Sequence, residues 1–224
     1  MRIAGIAVLL ALLTTTGLDA QRRHPISGRV LAPVMGVGGA GWLERPERED
    51  EEAPSKALDA LDLKPGMVVA DIGAGSGYYS LRLAKRVGAS GRVYATDIQQ
   101  GMIDILNRRI VSGGIENITT VLGGTDDPKL PPRSLDLAIM VDVYHELSQP
   151  QAMLRHLREA LRAGGRLVLL EYRKEDPTVP IKPEHKMSVA EAKMEVEAEG
   201  FTLVKVDEAL PRQHILIFTA KPQP

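Results

Sequence analysis

Cysteine is absent from all 224 residues, which excludes disulfides, thiolate nucleophiles, cysteine-ligated zinc and a lipidated cysteine anchor. Aromatic residues are scarce, with two Phe, one Trp and five Tyr, so the chain offers no stacking platform for bases. A formal net charge of -1 supplies no phosphate-seeking field, and the two scarcities together argue against nucleic acid as a partner. Long apolar runs are missing too. The stretch from Ile3 to Leu13 falls short of the roughly 20 residues that a membrane-spanning helix needs.

What is present is an ordinary globular composition, 44% hydrophobic and 25% charged, at a length that suits one domain with short extras. Residues 1–20, "MRIAGIAVLLALLTTTGLDA", have the layout of a secretory signal peptide, a basic Arg2 followed by an apolar run and a small or polar end. This predicts export to the periplasm or the medium on cleavage of the leader; an uncleaved membrane anchor and a cytoplasmic protein are the alternatives. Residues 21–53 read as a flexible lead-in, glycine-rich in "PVMGVGGAG" and charged in "WLERPEREDEE", with Trp42 and Leu43 docking it onto the domain. The domain proper is expected over 54–224.

Within it, short apolar runs alternate with helical periodicity. Strands are predicted at 67–70, 92–96, 118–122, 135–141 and 166–170, and helices at 78–86, 100–112, 149–163 and 189–199. Strands without in-out alternation are those of a parallel sheet covered by helices on both faces. The close-set runs "FTLVKVD" and "QHILIFTA" lack room for a crossover and predict an antiparallel hairpin on the sheet edge. The fold class is therefore α/β, a doubly wound Rossmann-like sheet of seven mostly parallel strands with a C-terminal antiparallel hairpin.

In such a sheet the loop after the first strand lies where ligands bind. Here "VVADIGAGSGYYS" sets Gly73, Gly75 and Gly77 at alternate positions behind Asp71, so that backbone N–H groups can approach a ligand closely. The spacing G-x-G-x-G departs from the dinucleotide fingerprint G-x-G-x-x-G, which disfavours a nicotinamide-dependent oxidoreductase. The pattern D-x-G-x-G-x-G instead resembles motif I of class I S-adenosylmethionine-dependent methyltransferases. That resemblance implies S-adenosyl-L-methionine as cofactor, cradled by Asp71, Gly73, Gly75 and Gly77, with Asp97 in "VYATDIQ" on the ribose hydroxyls. "LGGTDDPKLPPRSLDLAIMVD" resembles the next two motifs, in which Asp126 or Asp127 meets the adenine amino group and Asp142 joins the cofactor residues. "LRAGGRLVLLEY" is similar to the family's turn into the fifth strand. The stretches "WLERPERE", "MVDVYHEL", "EYRKEDPTVPIKPEHKMS" and "LPRQHILIF" together resemble a group of uncharacterised bacterial predicted methyltransferases that often carry export-like leaders.

The acceptor side belongs after the fourth and fifth strands. His145 in "DVYHEL" titrates near neutrality and is the leading candidate for a general base, with a helix cap as the competing reading. Tyr144 and Glu146 flank it. Glu171, Tyr172, Arg173 and His185 are expected to line the acceptor's mouth, with a surface ion pair as the alternative for Arg173, and the proline-rich loop 177–183 reads as a lid or wall. Methyl transfer needs alignment more than a metal, so no metal is expected; a site built from Asp142, His145 and Glu171 is the competing possibility. The reading is a methyltransferase acting on a small-molecule acceptor, with a noncatalytic binder of the same cofactor as the alternative.

Overall fold

The computed structural model describes residues 22–221. The expected leader at 1–20 lies outside them. Seven strands form one sheet in the order β3-β2-β1-β4-β5-β7-β6. They are β1 (Val68–Ile72), β2 (Arg92–Asp97), β3 (Ile118–Leu122), β4 (Leu135–Val141), β5 (Leu161–Tyr172), β6 (Phe201–Asp207) and β7 (Gln213–Ala220). The first five run parallel, and β7 inserts antiparallel between β5 and β6. The predicted sheet and its terminal hairpin are thus the observed ones.

The buried strands alternate between two helical layers. Leu137 and Ile139 of β4 pack toward α3 (Pro54–Ala60) and α4 (Tyr78–Val87), against Leu58, Leu83 and Val87. Ala138 and Met140 face the opposite layer, where Met153, Leu154 and Leu157 of α6 (Pro150–Ala160) and Val196 of α7 (Val189–Ala198) cover them. Helix α5 (Gln100–Ser112) joins β2 to β3. With both faces covered, alternation in hydrophobicity disappears although alternation in direction persists.

Two expectations are corrected. The helix predicted over 149–163 ends at Ala160, because Leu161 turns extended and pairs with Leu135. Strand β5 accordingly runs longer than 166–170, and its pairing with β7 carries Glu171 and Tyr172 into the sheet opposite His214 and Gln213. The lead-in expected to be flexible is packed. Residues 40–43 and 48–52 are short helices, α1 (Ala40–Leu43) and α2 (Arg48–Glu52), and the first and last residues of α2, Arg48 and Glu52, are buried. Upstream, Arg29 reaches the buried Glu195 of α7 through Nε at 2.8 Å and Nη2 at 3.0 Å, and donates from Nη1 to the carbonyl of His145 at 3.0 Å. The His145 carbonyl also accepts from Ala32 N–H. No helix among the described residues is long and apolar enough to cross a membrane.

Candidate active site

Strand order reverses between β1 and β4, and a cleft of about 460 Å³ opens at their carboxyl ends. The turn after β1 forms its floor. Gly73, Gly75 and Gly77 all have positive φ, at 71°, 54° and 86°. A Cβ on Gly73 would stand 2.6 Å from Val143, one on Gly75 2.7 Å from Leu43, and one on Gly77 would overlap Leu106. Conformation and space therefore both demand glycine. Gly73 and Ala74 donate their N–H groups to the Thr96 carbonyl at 2.8 and 2.9 Å, which fastens the turn to β2.

Asp71 lies beneath the turn and accepts from Ser80 Oγ at 2.6 Å. Burial pushes its carboxyl up to about 6, against the Ser80 bond that favours the charge. It supports the loop and does not line the cleft. Asp97, at the tip of β2, does line it. Its Oδ2 accepts from Gly75 N–H at 2.9 Å and its Oδ1 from Gln99 N–H at 2.8 Å. Burial raises its pKa, and the two amides oppose the rise.

Asp126 and Asp127 lie in the loop that follows β3. Neither lines the cleft; Gly124 and Thr125 do. The Asp127 carboxylate folds back to accept Lys129 N–H at 2.7 Å, and the Asp126 carbonyl faces His156. Thr125, which does line the cleft, is held by Gln149 Nε2 at 3.0 Å.

The acceptor end is built from three elements. His145 stands in the 3-10 turn Tyr144–Glu146 after β4, Glu171 at the end of β5, and His185 in the 3-10 turn Pro183–His185. His145 Nδ1–H donates to Glu171 Oε2 at 2.6 Å, and Nε2 meets His185 Nδ1 at 3.1 Å. Burial pulls the His145 pKa down, but the Glu171 carboxylate outweighs it and the imidazole ends above its ordinary value. His185 is shifted down, by burial and by the neighbouring imidazole. Glu146 is pushed up to about 7 by burial, with His145 opposing.

Of the other expected residues, Asp142 and Tyr172 line the cleft. Asp142 adopts φ 54°, accepts from Gln213 Nε2 at 2.7 Å, and leaves Oδ1 buried without a partner. Burial and the charges of Glu52 and Glu171 hold its carboxyl well above the usual range. The Tyr172 hydroxyl donates to Glu52 at 2.6 Å. Tyr144 is instead a core residue, wholly buried under the Arg29 guanidinium and absent from the cleft wall. Arg173 also points away, pairing with Glu208 at 2.6 Å and donating to the carbonyls of Glu208, Leu210 and Pro211. The trio weighed as a competing metal site, Asp142, His145 and Glu171, does not converge as a metal-binding group among the described residues; His145, Glu146 and His185 do.

The sequence reading missed the contribution of the lead-in. Val34, Met35, Trp42, Leu43 and Arg48 wall the cleft. Arg48 binds Glu52 at 2.7 Å, lies over the Tyr78 ring at 4.3 Å and donates to the Leu43 carbonyl. The spacing of Arg48 and Glu52, four residues apart, was the available signal, and it reads equally well as a solvated helix pair.

These residues fit a nucleoside-bearing sulfonium cofactor. The glycine turn leaves space that any Cβ would fill, Asp97 presents a fixed carboxylate to a diol, and Asp142 adds an oxygen, Oδ1, that has no partner within the chain.

Comparison with known proteins agrees. Residues 69–165 match the family model described as "Methyltransferase domain". An uncharacterized 37.1 kDa protein in transposon Tn4556 of Streptomyces fradiae is 38% identical over 158 residues, covering 68% of this chain and 44% of that one. The ubiquinone/menaquinone biosynthesis C-methyltransferase UbiE of Hydrogenovibrio crunogenus is 29% identical over 119 residues, 53% of this chain and 47% of the relative. The chain thus spans a little under half the length of these curated relatives. The crystal structure of a SAM-dependent methyltransferase from Aquifex aeolicus superposes with a TM-score of 0.78 at 28% identity, covering 83% of this chain and 98% of the other.

Proposed function

We propose that this chain, which carries a class I S-adenosylmethionine-dependent methyltransferase domain, methylates a small, largely apolar acceptor whose nucleophilic atom must first lose a proton. The observation that carries the reading is that one cleft holds both the glycine turn with Asp97 and the buried His145, which Glu171 grips from behind.

Asp97, the Gly73–Gly77 turn and Asp142 are the residues that would hold the cofactor, with Thr125 and Gln99 beside them. When bound, S-adenosylmethionine supplies an electrophilic methyl group on a sulfonium. The chain itself contributes alignment and proton removal. Glu171 fixes the His145 tautomer with the proton on Nδ1, so Nε2 is the basic atom turned toward His185 and the cleft. It takes the acceptor's proton there, a contribution of about 10² to 10⁴ in rate for a positioned base. Val34, Met35, Leu147 and Ile181 supply apolar wall, and the cleft volume of about 460 Å³ limits the acceptor to a small molecule. The UbiE relative is named a C-methyltransferase; a carbon nucleophile activated by loss of a neighbouring proton suits the same base.

The test is isothermal titration with S-adenosylmethionine, S-adenosylhomocysteine and NADH, for the chain and its Asp97→Ala variant. Binding of the first two, lost in the variant, supports the reading. Absence of binding to either, or preference for NADH, sinks it.

A further inference from the structure

Glu146 carries an oddity that proton transfer does not account for. Its Oε1 is turned toward two imidazole nitrogens yet bonds to neither, standing 3.9 Å from His145 Nε2 and 3.7 Å from His185 Nδ1. The two nitrogens are 3.1 Å apart. A neutral imidazole pair at that separation shares a single proton, and 3.7 Å is beyond hydrogen-bond range for the carboxylate.

The three atoms form a nearly regular triangle. The circle through them has a radius of about 2.1 Å, so a zinc ion standing about half an ångström off their plane would still lie about 2.1 Å from each, the distance at which zinc binds an imidazole nitrogen or a carboxylate oxygen. All three side chains line the cleft. Behind them, the His145 Nδ1–H bond to Glu171 at 2.6 Å is the outer-shell contact that orients a metal-ligating histidine and makes its other nitrogen more basic. The turns that carry the triangle are themselves anchored, the first through Arg29 and Ala32 on the His145 carbonyl. The second packs on the strand end through Met187 N–H, which donates to the Tyr172 carbonyl at 3.0 Å.

We propose that His145 Nε2, His185 Nδ1 and Glu146 Oε1 form a binding site for a divalent transition metal of the zinc type, with an open position facing the cleft. Two imidazoles and one carboxylate are a borderline donor set that suits zinc and its first-row neighbours over magnesium or calcium, which take mainly oxygen. Three protein ligands leave the fourth corner of a tetrahedron free, the arrangement of a site that binds substrate and not of a closed structural one. The cation takes the place of the proton that the imidazoles otherwise share. Activation of the acceptor then passes to the cation, because a hydroxyl coordinated at the open corner loses its proton to water more readily. Resting on the methyltransferase reading, this narrows the acceptor to a molecule that presents a hydroxyl or enolic oxygen to the metal.

The experiment strips the full chain with a chelator and titrates it with zinc chloride by calorimetry, then with cobalt(II) followed by visible absorption. The expected result is one zinc per chain, and a loss of affinity of at least about tenfold in each of Glu146→Gln and His185→Ala. His185→Cys supplies a signal that misfolding cannot imitate, because a cobalt-bound thiolate adds a charge-transfer band absent from the parent. Failure of the parent chain to bind zinc, retention of full affinity in both weakened variants, or a cobalt spectrum unchanged by the cysteine overturns the site. S-adenosylmethionine is titrated into the same samples: zinc binding without cofactor binding overturns the methyltransferase reading and leaves the metal site, and the reverse overturns the metal site alone.

Discussion

Glu171 Oε2 lies 2.6 Å from His145 Nδ1, and both side chains are buried. The pair comes from different elements, the end of β5 and the turn after β4, and it fixes which imidazole nitrogen faces the cleft. Glu171→Gln keeps the shape but offers an amide that can present its NH₂ to Nδ1 and invert the tautomer. Turnover is expected to fall by about 100-fold or more, while cofactor affinity stays unchanged. Single-turnover kinetics beside cofactor titration separates the two; an equal loss in both would show that Glu171 only holds the fold.

The glycine turn is constrained at a definite atom. Gly77→Ala forces a left-handed residue to carry a Cβ into Leu106. The two penalties together predict a loss of about 2–5 kcal/mol in urea denaturation. Gly88→Ala faces open space, but at φ 68° and ψ -179° it sits in backbone that residues with a Cβ avoid, and it is expected to lose the conformational part alone, about 1–3 kcal/mol.

Arg29 and Glu195 are a buried ion pair bonded through two guanidinium nitrogens. Arg29→Met strands the carboxylate without its guanidinium, beside His24 and Ser27, and is expected to cost about 3–5 kcal/mol. Arg29→Met combined with Glu195→Leu is expected to recover most of that loss, since the cost lies in the unpaired charge. A double-mutant cycle by chemical denaturation measures the coupling.

Asp71 gives stability a pH dependence of known sign. Its folded pKa of about 6 lies above the unfolded value, so the folded chain binds the extra proton. Its contribution is fully present below the unfolded pKa near 3.8 and is lost as pH rises through 6. Between pH 5 and pH 8 the parent is expected to lose roughly 1–2 kcal/mol that Asp71→Asn does not lose. Denaturation of both at the two pH values checks this; parallel pH profiles would contradict it.

How legible the molecule was depended on whether a signal was local. The strand and helix pattern, the glycine turn and Asp97 are written in contiguous residues whose spacing has a mechanical reason. His145 could be picked out by type, yet its partner Glu171 lies 26 positions away and is brought near only by the pairing of β4 with β5. Tyr144 shows the opposite case. It sits beside His145 in the chain, but a 3-10 turn sends adjacent side chains in different directions, and this one enters the core. Arg48 reads only as part of a charged run and Trp42 as a docking residue, because such a run with one aromatic carries no mark of the wall it will form. Asp126 and Asp127 lie one and two residues past Thr125, which lines the cleft while they do not, a matter of backbone path that residue type does not encode.

The stretch that matches the methyltransferase family, 69–165, contains the glycine turn, Asp97 and His145. Arg48 lies before it, and Glu171 and His185 after it, while the carbonyl of His145 is tied to Arg29 and Ala32 far upstream. A chain trimmed to the recognisable span would keep the nucleoside cradle and discard its roof, the carboxylate behind the imidazole and the second histidine. For this molecule, cutting back to that span from either side is surgery on the cleft itself.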